Sequence, residues 1–125
     1  MLEPIAAATH SVELGPVGYA ALRTEAFKAY KHLYDDREAL AHAEPALLAL
    51  AETGAPASVV YAALLLRRAG RDIAPLVARY AEDRREVSIA EGGCSLPPPY
   101  WLCEALRWVH GERWQHPEHS STPSR

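Results

Sequence analysis

Cysteine is nearly absent from this 125-residue chain, which carries only Cys94 and Cys103. A small secreted domain held by disulfides normally contains more, and without CxxC spacing a structural zinc site is not indicated. The two residues read as reduced thiols in or near a core. Long apolar runs are also missing: the longest, from Val59 to Leu66, stops at Arg67 and Arg68, far short of the roughly 20 residues of a membrane span. The N-terminal segment, Met1-Leu-Glu-Pro-Ile-Ala-Ala-Ala, lacks the basic start of a secretory signal, so a cytoplasmic chain is expected.

A basic excess is lacking too. Thirteen Lys and Arg stand against 16 Asp and Glu, a formal net charge of −3, which argues against binding nucleic acid through its phosphates. The first 53 residues carry four basic and eight acidic side chains, whereas residues 54–86 carry six Arg against four acids. This asymmetry reads more naturally as a solvated helix face than as a nucleic-acid footprint. No phosphate loop, dinucleotide fingerprint, GxSxG elbow or acidic metal cluster occurs. Nothing here argues positively for catalysis, a cofactor or a metal.

Ala and Leu together supply 38 residues and Val and Ile only ten. Straight-chain and methyl side chains favour helix and β-branched ones strand, so the composition points to an all-α protein. Tyr19, Leu22, Ala26, Phe27, Tyr30, Leu33 and Tyr34 follow helical spacing and predict a first helix over 17–34. Asp35-Asp36-Arg37-Glu38 is a helix-start signal, with Asp35 and Glu38 at capping-box spacing. The second helix turns Leu40, Ala43, Leu47, Leu50 and Ala51 inward, and Pro45 within it predicts a kink or break near Ala43 and Glu44.

Gly54 and Pro56 suit a helix stop followed by a helix start. The third helix, Pro56–Ala69, is apolar nearly all round, so it must be covered on several sides and form the central element. Gly70 ends it, and Asp72 caps a fourth helix with Ile73, Leu76, Val77 and Tyr80 as its stripe. Val87–Ile89 and Cys94–Leu96 alternate in polarity about Gly92-Gly93, consistent with a short β-hairpin over 87–96 or a folded loop. Pro97-Pro-Pro99 is expected to start a fifth helix, with Trp101 and Trp108 on one strip and Gly111 closing it. The expected organisation is an N-terminal arm (1–15), one compact five-helix domain (16–111) and a mobile polar tail (112–125).

The stretch Leu50-Ala-Glu-Thr-Gly-Ala-Pro-Ala-Ser-Val-Val-Tyr-Ala-Ala-Leu-Leu-Leu-Arg-Arg-Ala-Gly resembles a HEAT-like repeat. More narrowly, Gly54, Pro56, Tyr61, Ala62, Ala63, Leu65, Leu66, Asp83, Val87, Gly93 and Cys94 are similar to the pattern of small bacterial HEAT-like proteins of uncharacterised role. The resemblance covers residues 50–96. It implies helical hairpins in series and an extended face free for a partner, and it carries over no catalytic residue.

Four further groups are candidates. Among His10, His32, His42, His110, His116 and His119, no HExxH or comparable pattern suggests ligation, although the tail from His110 to His119 can bind a transition metal weakly. Cys94 follows Gly92-Gly93, whose amides can form an anion nest and lower a thiol pKa, so a thiol-based enzyme or redox switch is the alternative reading. Trp101 and Trp108 suit an interaction hot spot or the core of the fifth helix. Arg67, Arg68, Arg71, Arg84 and Arg85 form a basic group that would favour an acidic protein partner. The leading expectation is a non-enzymatic interaction module, such as a small bacterial immunity or regulatory protein that acts by occupancy.

Overall fold

An apolar helix without a polar face needs neighbours on every side, and the rest of the chain is arranged to provide them. The computed structural model describes residues 3–7, 11–13, 25–90 and 99–111. In chain order these form α1 (Glu3–Ala7), β1 (Ser11–Glu13), α2 (Glu25–Asp35), α3 (Arg37–Thr53), α4 (Pro56–Arg68), α5 (Ala74–Arg79), β2 (Glu86–Ala90), β3 (Pro99–Trp101) and α6 (Leu102–His110). The protein is mostly helical. None of the described helices is long and apolar enough to cross a membrane.

Helix α4 is buried from Pro56 through Leu66. It touches α1, α2, α3, α6, β1 and β2, so its central place in the fold follows the sequence expectation. Each large apolar side chain fully buried in this way contributes about 1.5–3 kcal/mol. Ser58, the buried polar residue on this helix, resolves its hydroxyl by donating to the Ile5 carbonyl at 2.9 Å, with the Ala6 carbonyl 3.3 Å away. That bond ties α1 to the core. Over the described part of the expected N-terminal arm, Ile5 and Val12 are both fully buried. The rest of 1–15 and the tail 112–125 lie outside the described residues.

The helix boundaries follow the sequence signals with informative shifts. In α2, Phe27, Tyr30, Leu33 and Tyr34 form the buried face as their spacing requires; the expected start, 17–24, is outside the described residues. The cap of α3 is Asp36 rather than Asp35: its Oδ1 accepts from the amides of Glu38 and Ala39, both at 3.1 Å. Asp35 instead ends α2 and pairs with Lys31 at 2.7 Å. Gly54 closes α3 with φ −75°, not in a left-handed conformation. Space, not torsion, demands glycine there: a Cβ would lie 2.7 Å from the Leu50 carbonyl oxygen and 2.9 Å from Ser58 Cβ. Gly70 is the left-handed residue, with φ +91°. Its amide bonds the Arg67 carbonyl while that of Arg71 bonds Leu66, the paired closure of a Schellman motif.

Pro45 does not break α3, which runs unbroken from Arg37 to Thr53. At about 100° per residue, Pro45 lies opposite the stripe formed by buried Leu40, Leu47 and Ala51. The carbonyl it leaves without an amide partner belongs to Ala41, an exposed residue, so water can accept that role.

The all-α expectation is corrected by a three-stranded sheet in the order β1-β2-β3. Strand β2 pairs in parallel with β1 (Val12 opposite Ile89) and antiparallel with β3 (Val87 opposite Tyr100). Val87–Ile89 is thus a strand as its alternation suggested, but its described partners are 11–13 and 99–101; residues 91–98 lie outside the described set. The prolines do not start the last helix directly, since Pro99 still belongs to β3 and α6 begins at Leu102. Helices α3 and α4 form one hairpin, but α5 has only six residues, and no second hairpin of that size repeats it among the described residues. The six helices include the five expected from periodicity, with α1 added.

Because Pro45 is exposed and mid-helix, replacing it tests this account of α3. Pro45→Ala should restore the missing bond and raise the unfolding free energy by about 1–3 kcal/mol, the upper bound being the full helix penalty of proline. A urea midpoint that stays put or falls would show that the proline is held by contacts this account omits.

Candidate functional site

The five arginines do not form one patch. Arg67 and Arg68 occupy the last turn of α4, where cations complement the helix dipole. Arg68 is a latch: its Nε donates to the Tyr34 carbonyl at 3.1 Å, and its guanidinium lies 4.4 Å over the Tyr34 ring. Tyr34 meets Tyr30 edge-on at 5.9 Å, and Tyr30 contacts Tyr61 of α4 at 5.4 Å. Burial pushes the Tyr30 hydroxyl well above its ordinary pKa, reinforced by Tyr34 and Tyr61. These residues join α2 to α4.

Arg71 pairs with Glu44 across the α3–α4 hairpin. With Arg67 and His110 it lines a shallow cleft of about 300 Å³ that also includes Gly70, Asp72 and Ile73. The carboxylates of Glu44 and Asp72 offset much of the positive charge there. The C-terminal ends of α4 and α6 also meet at this cleft, and their carbonyls account for cations at this place.

Arg84 and Arg85 lie elsewhere, on the approach to β2. The Asp83 carboxylate accepts from the Arg85 backbone amide at 3.0 Å, from its Nε at 3.0 Å and from its Nη2 at 2.8 Å. These hydrogen bonds hold the Asp83 carboxyl below its usual range, overriding the opposing effect of partial burial. The same segment satisfies the first turn of α6: the Leu102 amide donates to the Arg85 carbonyl at 2.8 Å and the Cys103 amide to that of Asp83 at 3.0 Å. Residues 83–85 are therefore a rigid bracket between β2 and α6.

Arg84 stands in the middle of that bracket and points differently. Its guanidinium lies 4.7 Å over the indole of Trp101, and it enters no ion pair among the described residues. Trp101 is 43% exposed. Strand register explains the placement: Glu86 sits opposite Trp101 and Ser88 opposite Pro99, and residues directly opposite share a sheet face. Val87 and Ile89 alternate to the core side, where both are buried. The outer face of the β2–β3 pair thus carries Glu86, Ser88, Pro99 and Trp101, with the Arg84 guanidinium stacked on the indole.

Trp108 belongs to the opposite side. It packs edge-on against Tyr100 at 4.5 Å, so the two tryptophans do not share a helical strip. Trp101 precedes α6 and keeps an extended backbone, with φ −75° and ψ 147°. Glu86 and Ser88 were not singled out from the sequence, and Pro99 was read only as part of a helix start, although the Glu-Val-Ser-Ile alternation beside Arg84 was the signal that could have found the strand. Cys94, with His10, His116 and His119, lies outside the described residues. Cys103 is buried and carries a free thiol. His32, His42 and His110 are exposed, and no group of three or more potential metal ligands converges among the described residues.

Comparison with known protein families, with curated proteins and with solved structures finds no match to this chain. The fold and its outer surface define a small, mostly helical protein in which a three-stranded sheet keeps one aromatic face open.

The bracket has a pH signature. A carboxyl held lower in the folded than in the unfolded chain adds stability above the ordinary carboxylate range and loses it as pH falls through the folded value. Arg85 is half exposed, with 50% of its side chain accessible, so solvent screening keeps this contribution under about 1 kcal/mol. Asp83→Asn should destabilise the protein at neutral pH, and the gap to the parent should shrink as pH falls below 4. Urea midpoints across that range measure it; a gap independent of pH would contradict the assignment.

Proposed function

We propose that this chain is a non-enzymatic protein-interaction module that engages its partner through the open sheet face at Trp101 and Arg84. The observation that supports the reading is the exposed indole carrying a stacked guanidinium. Tryptophan and arginine dominate interaction hot spots: the indole offers a large apolar surface with one donor, and the guanidinium a flat fork of donors on an apolar stem. Here the Asp83–Arg85 bracket fixes the backbone on either side of Arg84, so less conformational freedom is lost on docking.

The partner meets side chains rather than extending the sheet. Pro99 has no amide hydrogen, and the Trp101 amide faces the Glu104 carboxylate at 3.4 Å. Two of the three residues of β3 therefore offer no donor to an added strand. The α3–α4 hairpin is the feature this reading shares with HEAT-like modules. Occupancy of a partner protein, as by a small bacterial immunity or regulatory protein, is the mode of action it assigns. No cofactor, metal, nucleic acid or membrane enters it.

Photo-crosslinking in the host cell tests the reading. Benzoylphenylalanine placed at Glu86, exposed and opposite Trp101 on the same face, should give a discrete adduct with one protein that Trp101→Ala abolishes, while the same group at Leu48, also exposed but on α3, should give none. No adduct at position 86, or the same adducts from both positions, would overturn it.

A further inference from the structure

We infer that the Trp101–Arg84 face reads a single carboxylate beside an apolar side chain on a partner polypeptide, an inference that rests on the interaction reading above. Arg84 has the chemistry for one anionic group: a planar fork of five N–H donors, centred 4.7 Å over an indole and in no ion pair among the described residues. Such a fork matches the two oxygens of a carboxylate. The exposed part of the Trp101 ring beside it offers an apolar platform for the neighbouring side chain.

The surroundings limit how much negative charge can dock. Glu86 lies opposite Trp101 on the same face. Arg85 is occupied by Asp83, so it adds no net positive charge. Glu82 is exposed two residues before Arg84. One carboxylate aimed at Arg84 is accommodated, whereas a run of acids, or the regularly spaced phosphates of a nucleic acid, would bring like charge against Glu86. The Glu86 carboxylate also favours a basic residue flanking the recognised acid. The partner segment is therefore mixed in charge, with one Asp or Glu next to an aliphatic or aromatic side chain, rather than uniformly acidic as the arginine count alone suggested.

Selection of a phage-displayed random peptide library on the purified full-length protein tests this. Selected peptides should be enriched in an acid adjacent to an apolar residue, and binding should be lost with Trp101→Ala. Arg84→Gln should keep the apolar preference, lose the acid preference and weaken the wild-type peptides by about tenfold or more. Peptides that depend on Trp101 but show no acid enrichment, or the same set selected by Arg84→Gln, would overturn the carboxylate inference and leave the interaction face standing. Absence of any Trp101-dependent peptide would overturn both. A short single-stranded oligonucleotide binding through Arg84, or dimerisation abolished by Trp101→Ala, would replace the peptide with another occupant and likewise overturn the inference.

Discussion

Helix α4 has no side it can show to water. Eleven consecutive residues from Pro56 to Leu66 are buried, so elements from both ends of the chain must close around it. This requirement accounts for contacts that local propensity would not produce. A five-residue α1 is too short to persist alone, yet it is held where Ser58 needs a hydrogen-bond acceptor. Likewise β1 gains its place by pairing with β2 over α4 rather than by any strength of its own. At the other end of α4, Arg68 and the tyrosines of α2 close the sheath through ring contacts and the hydrogen bond from Arg68 to the Tyr34 carbonyl.

The open sheet face is a by-product of the same arrangement. Val12, Val87 and Ile89 are all buried, which commits one side of the sheet to the core and, by strand alternation, turns Glu86 and Trp101 to the other. The Asp83–Arg85 bracket then joins sheet and α6, supplying two carbonyls to the first turn of that helix. An arginine between two such fixed residues is held without being consumed by an ion pair of its own. Packing and presentation of the candidate site thus share a cause: the inward residues define where the outward ones stand.

Helical periodicity made the larger helices legible, because Phe27, Tyr30, Leu33 and Tyr34 repeat a pattern over about two turns and Gly70 punctuates the end of α4. The sheet was less accessible. Three-residue strands contain too little alternation to distinguish from loop, and the β1–β2 pairing joins Val12 to Ile89 across most of the chain. Pro45 misled because sequence position does not reveal that the lost carbonyl partner faces solvent. Charge was the poorest guide: Arg71 finds Glu44 only after α3 and α4 fold together, and Arg68 is spent on Tyr34. Trp101 and Arg84 were both nominated from residue type, but their contact depends on the placement of β3 against β2.

Native-state amide hydrogen exchange tests the sheathing of α4 most directly. The amides from Val59 to Leu66 should exchange only through global unfolding, with the same free energy and denaturant dependence as the urea transition. Exchange of those amides through a lower-energy opening than the best-protected amides of α3 and α6 would contradict the account, because the central helix would then be able to open while its cover stays folded.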